Sequence, residues 1–320
     1  MIDLRSNENP YKPLDKVTNS ICENMNSMNR YLSAKELDIL KEKASEYCGV
    51  KKNRIVFGPG TDFLIERVLI KNFQNKNLYL LNPCFYKSVG TALDLGMGLR
   101  RIQIVPPNFH ILWDNLHIEK NIVLIDSPNN PTGKYLVEAN QIQKLLEKDN
   151  IVIVDEAGYE FGEKTMIDLV DKYKNLMIVR SLDKSFALAG LKVGYCICGD
   201  ELLKAFGNNI SINRASWSAS LEALNHSQYS DECVSKIKEE RKYLMDELKE
   251  LDFKVYESNA NYILIESDIP QLALELKDRG ILIEDLSYSW LKNHYRVSIG
   301  KREDNKALIN ELHIIKKEEA

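Results

Sequence analysis

The sequence predicts an α/β fold: a mostly parallel sheet flanked by helices, with a smaller α+β unit at the C-terminal end. Three observations predict it. The run Ile151-Val-Ile-Val-Asp155 sets four β-branched residues together, the pattern of a strand buried on both faces. Between Ile55 and Cys198, short apolar runs alternate with helical patterns, which is how parallel sheets are built. Beyond Asp200 that rhythm gives way to charged helices and closely spaced short strands. A chain of 320 residues with 44% hydrophobic content can bury one large core and a small one. The expected division is an N-terminal arm over 1–32, a large unit over 33–230 and a small α+β unit over 231–320.

The arm is polar, carries Pro10 and Pro13, and leads into a weak helix around 15–27. Leu37, Leu40 and Ala44 recur at helical spacing, and Gly49 ends that helix. Ile55-Val-Phe57 is a short strand, with Gly58-Pro-Gly60-Thr61-Asp62 directly after it. Phe63, Leu64, Ile65, Val68 and Leu69 give the next helix an apolar face. Further strands lie near 78–81, 100–105 and 122–125, with a helix at 87–96 between the first two. A rigid turn, Asp126-Ser-Pro-Asn129-Asn130-Pro-Thr-Gly133, then presents amide side chains at a strand end. Helices at 138–148 and 166–173 bracket the Asp155 strand, and strands at 176–179 and 193–198 close the set. The remainder reads as helices over 219–225, 234–251, 270–279 and 303–315, with strands at 254–256, 261–265, 280–283 and 295–299.

Composition narrows the function. The net charge is −4 and Lys and Arg are interleaved with acids throughout, which argues against a nucleic-acid partner. Six scattered cysteines, Cys22, Cys48, Cys84, Cys196, Cys198 and Cys233, read as free thiols rather than a disulfide framework. Cys196-x-Cys198 has the wrong spacing for a zinc knuckle and no histidine near it, so no metal is expected. The first ten residues hold no apolar leader, and no run approaches the ~18 apolar residues of a membrane span. The expectation is a soluble, cytoplasmic protein without a membrane partner.

Chemistry concentrates around Val179 to Tyr195. There an apolar strand breaks into a polar turn carrying Lys184, with a second cation, Lys192, eight positions on. A solvated turn lysine would look the same, but Asp155 ends a buried strand just upstream. A carboxylate and a lysine at neighbouring strand ends point to the crevice where open α/β sheets bind ligands. The turn Gly58 to Asp62 reads either as a phosphate seat at a helix start or as a plain capped turn. With the aromatic Phe85, Asn130, Asp155, Lys184 and Lys192, it falls where strands of one sheet end. Pyridoxal 5'-phosphate asks for this set: an amine for a Schiff base, a carboxylate for the ring nitrogen, an aromatic face and phosphate donors.

The ordered motifs carry a resemblance across nearly the whole chain. They are Asn7-Glu-Asn-Pro-Tyr11, Arg30-Tyr31, Gly58 to Asp62, Ser127 to Gly133, Asp155-Glu-Ala157, Arg180-Ser-Leu-Asp-Lys184 and Tyr295 to Gly300. The chain resembles the fold type I pyridoxal-phosphate aminotransferases, and among them the histidinol-phosphate aminotransferase and threonine-phosphate decarboxylase group. The resemblance implies that Lys184 is the Schiff-base lysine and proton shuttle, Asp155 the ring-nitrogen partner and Asn130 a donor to the ring hydroxyl. It implies that Phe85 stacks on the ring and that Gly60, Thr61, Asp62, Ser181 and Lys192 hold the phosphate. Tyr31 would reach into a neighbouring subunit's site in a homodimer. Arg296 would hold the substrate carboxylate, with Tyr11 near the substrate. The implied reaction is amine transfer between an amino donor and a 2-oxo acid in amino-acid biosynthesis.

Departures from the pattern accompany it. Asp183 stands where Ser or Thr is usual, and Lys192 where Arg is usual, so a bidentate phosphate clamp becomes a point charge. Gly158 replaces the usual tyrosine, with Tyr159 one place late and on the other face. Reading Gly280-Ile-Leu-Ile283 in register puts Glu284 where an arginine commonly meets a substrate phosphate. Decarboxylation shares the same electron-sink chemistry and stays open as an alternative, as does a cofactor fold kept for binding alone.

Overall fold

The computed structural model describes residues 1–84, 87–207, 212–287 and 291–319. The chain opens with strand β1 (Ile2–Leu4), which belongs to a second sheet. The large sheet holds β2 (Ile55–Gly58), β3 (Asn77–Asn82), β4 (Gly98–Gln103), β5 (Ile122–Asp126), β6 (Ile151–Asp155), β7 (Leu176–Ser181) and β8 (Gly194–Cys198). Their order is β2-β8-β7-β6-β5-β3-β4. Among these described strands, only β8 runs against its neighbours. Every residue of β5 and β7 is buried, which is why these strands are continuous apolar runs rather than alternating ones. Parallel pairing also delivers the last residues of β5, β6 and β7 to one edge, with Asp126 directly beside Asp155.

Helices α1 (Asp15–Asn24), α2 (Ala34–Cys48), α3 (Thr61–Asn72), α4 (Lys87–Asp94), α5 (Ala139–Leu146), α6 (Asp200–Leu203) and α7 (Arg214–Asn225) accompany this sheet. Helix α2 starts on a reciprocal Ser33 and Glu36 capping box and stops at Gly49, whose φ of 68° suits glycine. Helix α8 (Ser227–Glu250) then crosses to the second sheet, running unbroken through the expected boundary at 230/231. That sheet is β1-β11-β12-β10-β9, with β9 (Lys254–Val255), β10 (Tyr262–Glu266), β11 (Ile281–Asp285) and β12 (His294–Ser298). Helices α9 (Leu272–Asp278) and α10 (Arg302–Glu319) pack on it. Its own core gathers Leu4, Ile237, Leu244, Ile263, Val297 and Leu312.

The arm packs on the small unit, as expected of it: Ile2 to Leu4 pair in parallel with Ile281 to Ile283, and Leu4 enters the second core. One expectation is corrected. The segment 166–173 is not a helix but a single 3₁₀ turn over Ile167–Leu169 continued by further turns. Buried Glu156 accepts the Met166 N–H at 2.7 Å, while Asn175 Nδ2 donates to the carbonyls of Leu146 and Asn150. The segment is thus fixed at both ends by side chains, and those anchors override its helical spacing.

Candidate active site

The edge where β5, β6 and β7 end is one wall of a cavity of about 540 Å³, well inside the range of small-ligand sites. The opposite wall comes from the arm, β11 and β12. Lys184 sits in the turn after β7, held by bonds from Leu182 N to Val193 O (3.0 Å), Leu188 N to Leu182 O (3.2 Å) and Ala187 N to Lys184 O (3.2 Å). Burial lowers its ammonium pKa; Asp155 opposes this and Arg296 adds to it. Burial likewise raises the Asp155 carboxyl, with Lys184 pulling the other way. Asp155 Oδ1 accepts the Ala157 N–H at 2.9 Å, and Oδ2 has no hydrogen bond among the described residues.

The phosphate-seat expectation lands on the same cavity. Gly60, Thr61, Asp62, Ser181 and Lys192 all line it. No side chain caps α3 at Gly60, so its first N–H groups are available to an anion. Gly60 has a φ of 91°, and a Cβ on Gly194 would lie 2.6 Å from Gly60 C and Thr61 N, so two glycines let the turn press onto β8. Asp183 also lines the cavity, but its Oδ1 accepts the Val193 N–H at 2.9 Å. Burial pushes its pKa up to about 6, so at neutral pH it remains largely ionised and opposes an anion.

Asn130 is held from both sides. Its N–H donates to Asp126 Oδ2 at 2.7 Å, and its Oδ1 accepts from Arg296 Nη1 at 2.7 Å, leaving Nδ2 as its donor. Arg296 Nη2 donates to the Arg5 carbonyl, and its buried Nε has no partner among the described residues. Glu284 lines the cavity beside it. Tyr11 does not: the Tyr11 N–H donates to Asn9 Oδ1 at 2.9 Å, and the ring is turned between Lys236 and Lys301, 5.4 and 5.8 Å away. Tyr31 is 101% exposed and lines nothing in its own chain. Phe85 lies outside the described residues. Gly158 faces the cavity while the Tyr159 ring stacks 3.7 Å from the Arg180 guanidinium behind the sheet.

Among the wall residues that escaped the sequence reading are Asp126, Tyr262 and Asn7. Buried Asp126 accepts from Asn129 Nδ2 at 3.0 Å as well as from Asn130, and burial pushes its pKa up to about 7 with Asp155 adding to the rise. Tyr262 donates its hydroxyl to the Asn129 carbonyl at 2.9 Å and lies 5.6 Å under Arg296. Asn7, with a φ of 54°, donates its N–H to Ser298 Oγ at 2.8 Å, and its carbonyl accepts Asn261 Nδ2 at 2.7 Å, fixing the arm over the cavity. Asp126 ends a buried strand as Asp155 does, a signal the sequence did carry.

A buried amine, a carboxylate with an open oxygen and an uncapped helix start around one cavity fit the amine, ring-nitrogen and phosphate requirements of pyridoxal phosphate. The fold and donor set are those of a pyridoxal-phosphate-dependent enzyme of fold type I. The family model for aminotransferase class I and II matches residues 1–312, and the chain belongs to that family. It is 30% identical to the histidinol-phosphate aminotransferase of Clostridium beijerinckii over 329 residues, covering 98% of this chain and 90% of that one. Its fold is also that of the histidinol-phosphate aminotransferase of Sinorhizobium meliloti in complex with pyridoxal-5'-phosphate (TM-score 0.85, 19% identity, 100% and 91% of the two chains). The L-threonine-O-3-phosphate decarboxylase of Porphyromonas gingivalis matches as well in shape (TM-score 0.85, 17% identity, 99% and 100%). The protein is an aminotransferase that uses pyridoxal phosphate, an amino donor and a 2-oxo acid. No helix among the described residues is long and apolar enough to cross a membrane.

Proposed function

We propose that this cavity moves an amino group from a small primary amine or α-amino acid, of the kind its histidinol-phosphate aminotransferase relatives are named for, to a 2-oxo acid. The observation that carries this is Lys184 and Asp155 facing one cavity whose floor is the uncapped start of α3. When bound, pyridoxal phosphate supplies an electron sink for the carbon losing its proton. Lys184 would carry the cofactor, and its lowered pKa suits its amine to take and return that proton. Asp155 would hold a proton on the ring nitrogen, since its free Oδ2 is an acceptor in a site where burial strengthens the pairing. Gly60, Thr61, Asp62, Ser181 and Lys192 would seat the phosphate, Asn130 would donate through Nδ2, and Arg296 would hold a carboxylate. Borohydride reduction of the holoenzyme and peptide mapping test the first role; a pyridoxyl label on Lys192 or elsewhere would refute it. A donor screen read for carbon dioxide as well as amine separates decarboxylation.

We further propose a homodimer in which Tyr31 enters the partner's cavity. Met25, Met28, Tyr31 and Ile39 are exposed large side chains within one short stretch, a surface that a second copy would cover. The Tyr31 carbonyl is tied to Arg214 Nη2 at 3.2 Å, so the bare ring stands on a fixed turn. Mixing inactive Lys184→Ala and Tyr31→Ala chains should restore activity through one intact shared site. Absence of any recovery in verified mixed dimers would refute this role for Tyr31. Six free thiols suit a reducing compartment, and we assign the protein to the cytoplasm.

A further inference from the structure

The wall facing the cofactor side carries two carboxylates, Glu8 and Glu284, and two guanidinium groups, Arg5 and Arg296. Six carboxyl-bearing and four cationic side chains line the whole cavity. Of the four cations, Lys184 and Lys192 lie on the wall assigned to the cofactor. Arg296 is engaged with Asn130 and the Arg5 carbonyl. Arg5 is clamped by Asp3, through Nε at 2.9 Å and Nη2 at 2.6 Å. Glu284, by contrast, has no hydrogen bond or ion pair among the described residues, though it is half-buried. It stands directly opposite Arg296 in the antiparallel β11 and β12 pair, so both side chains leave the same face as neighbours. A donor seated beside Arg296 therefore also meets the Glu284 carboxylate, with Glu8 on the same wall.

We propose that Glu284 sets donor specificity, favouring a donor whose far end is cationic or neutral over one that ends in a phosphate. This rests on the reading of the cavity as the amine-transfer site. A phosphate dianion placed beside Glu284 would meet a like charge at close range, next to an Arg5 already clamped by Asp3. An ammonium or imidazolium would instead give Glu284 a direct ion pair.

The test uses purified holoenzyme with two probes, histidinol phosphate and histidinol. Dissociation constants come from equilibrium titration, and kcat/KM from steady-state turnover with a 2-oxo acid. Wild type should favour histidinol in both by roughly tenfold or more, as like-charge repulsion at close range demands. Glu284→Gln should narrow the ratio, and Glu284→Arg should reverse it. Tighter binding and faster use of the phosphate ester by wild type, unchanged in Glu284→Arg, would overturn the proposal. Binding of both probes without turnover of either would overturn the amine-transfer reading itself, while the ratio of dissociation constants would still judge Glu284.

Discussion

The two walls of the cavity are built by different means. The wall at the ends of β5, β6 and β7 is made of residues that terminate doubly buried parallel strands, each positioned by its neighbour's register. The opposite wall is assembled from chain ends: Asn7 and Ser298 touch across 291 residues, as do Arg5 and Arg296. The first wall is fixed by parallel backbone pairing, whereas the second joins paired strands β11 and β12 to the arm through a handful of side-chain bonds. Damage to the first should therefore stop the chemistry, whereas damage to the second should loosen substrate binding.

The largest expected effect is on the first wall. Asp155→Ala removes the carboxylate assigned to the ring nitrogen, and turnover should fall by about 10²–10³-fold, the usual cost of one preorganised electrostatic partner. The fold should persist, because among the described residues the Asp155 side chain makes a single hydrogen bond, to Ala157. Retained kcat in a correctly folded variant would refute its role. Next comes the second wall. Arg296→Ala should raise the KM for the 2-oxo acid by roughly 100-fold, in line with truncating a buried charge-assisted contact, while changing kcat less. An equal loss in kcat at unchanged KM would break the proposed division between the walls.

Asp126 turns the comparison into one of stability. Its folded pKa of about 7 lies above the ordinary 3.8, so its contribution is fully present below pH 3.8 and lost as pH rises through 7. Those about three units correspond to on the order of 4 kcal/mol. The groups facing it are Asp155 across the sheet, the Cys84 thiol, Asn129, Asn130 and the Tyr262 ring. On the second wall, the Arg5 bond instead holds Asp3 below its ordinary pKa, so its contribution runs the other way and, being exposed, is small. The melting midpoint of the cofactor-free protein should fall as pH rises from about 4 to 7, and Asp126→Asn should flatten that slope. A slope unchanged by the substitution would assign it to other groups.

This difference in construction explains what the sequence could reveal. Asp155, Lys184 and the turn from Gly58 to Asp62 were legible because periodicity marks buried strands, and the residues just past a strand's end lie at the sheet edge. The central α/β order was legible for the same reason. That the arm packs on the small unit was legible, but how it attaches was not: the bond from Asn7 to Ser298 has no periodic signal, and a three-residue β1 is too short to show one. Tyr11 was expected near the substrate, but a local bond to Asn9 and two lysines turn its ring away. The segment 166–173 read as a helix because spacing cannot register Glu156, whose carboxylate fixes its start.

The smallest expected effect tests how finely the first wall is tuned. Lys192 adopts a left-handed conformation (φ 48°) at the end of the 3₁₀ turn Ala189–Leu191, which aims an exposed side chain along the cavity rim. A lysine there meets a phosphate as a single charge, whereas a guanidinium could bind two oxygens at once. Asp183 lies nearby and, with a pKa of about 6, is largely ionised at neutral pH, so a phosphate seated as proposed would rest chiefly on the α3 amides and Ser181. Wild type should then lose part of its cofactor on dialysis, and Lys192→Arg should tighten retention by roughly three- to tenfold, about one charge-assisted hydrogen bond. Cofactor absorbance after dialysis measures both. Full retention by wild type with no gain from arginine would mean that the helix start alone saturates the phosphate, and that the residue at 192 contributes little to holding it.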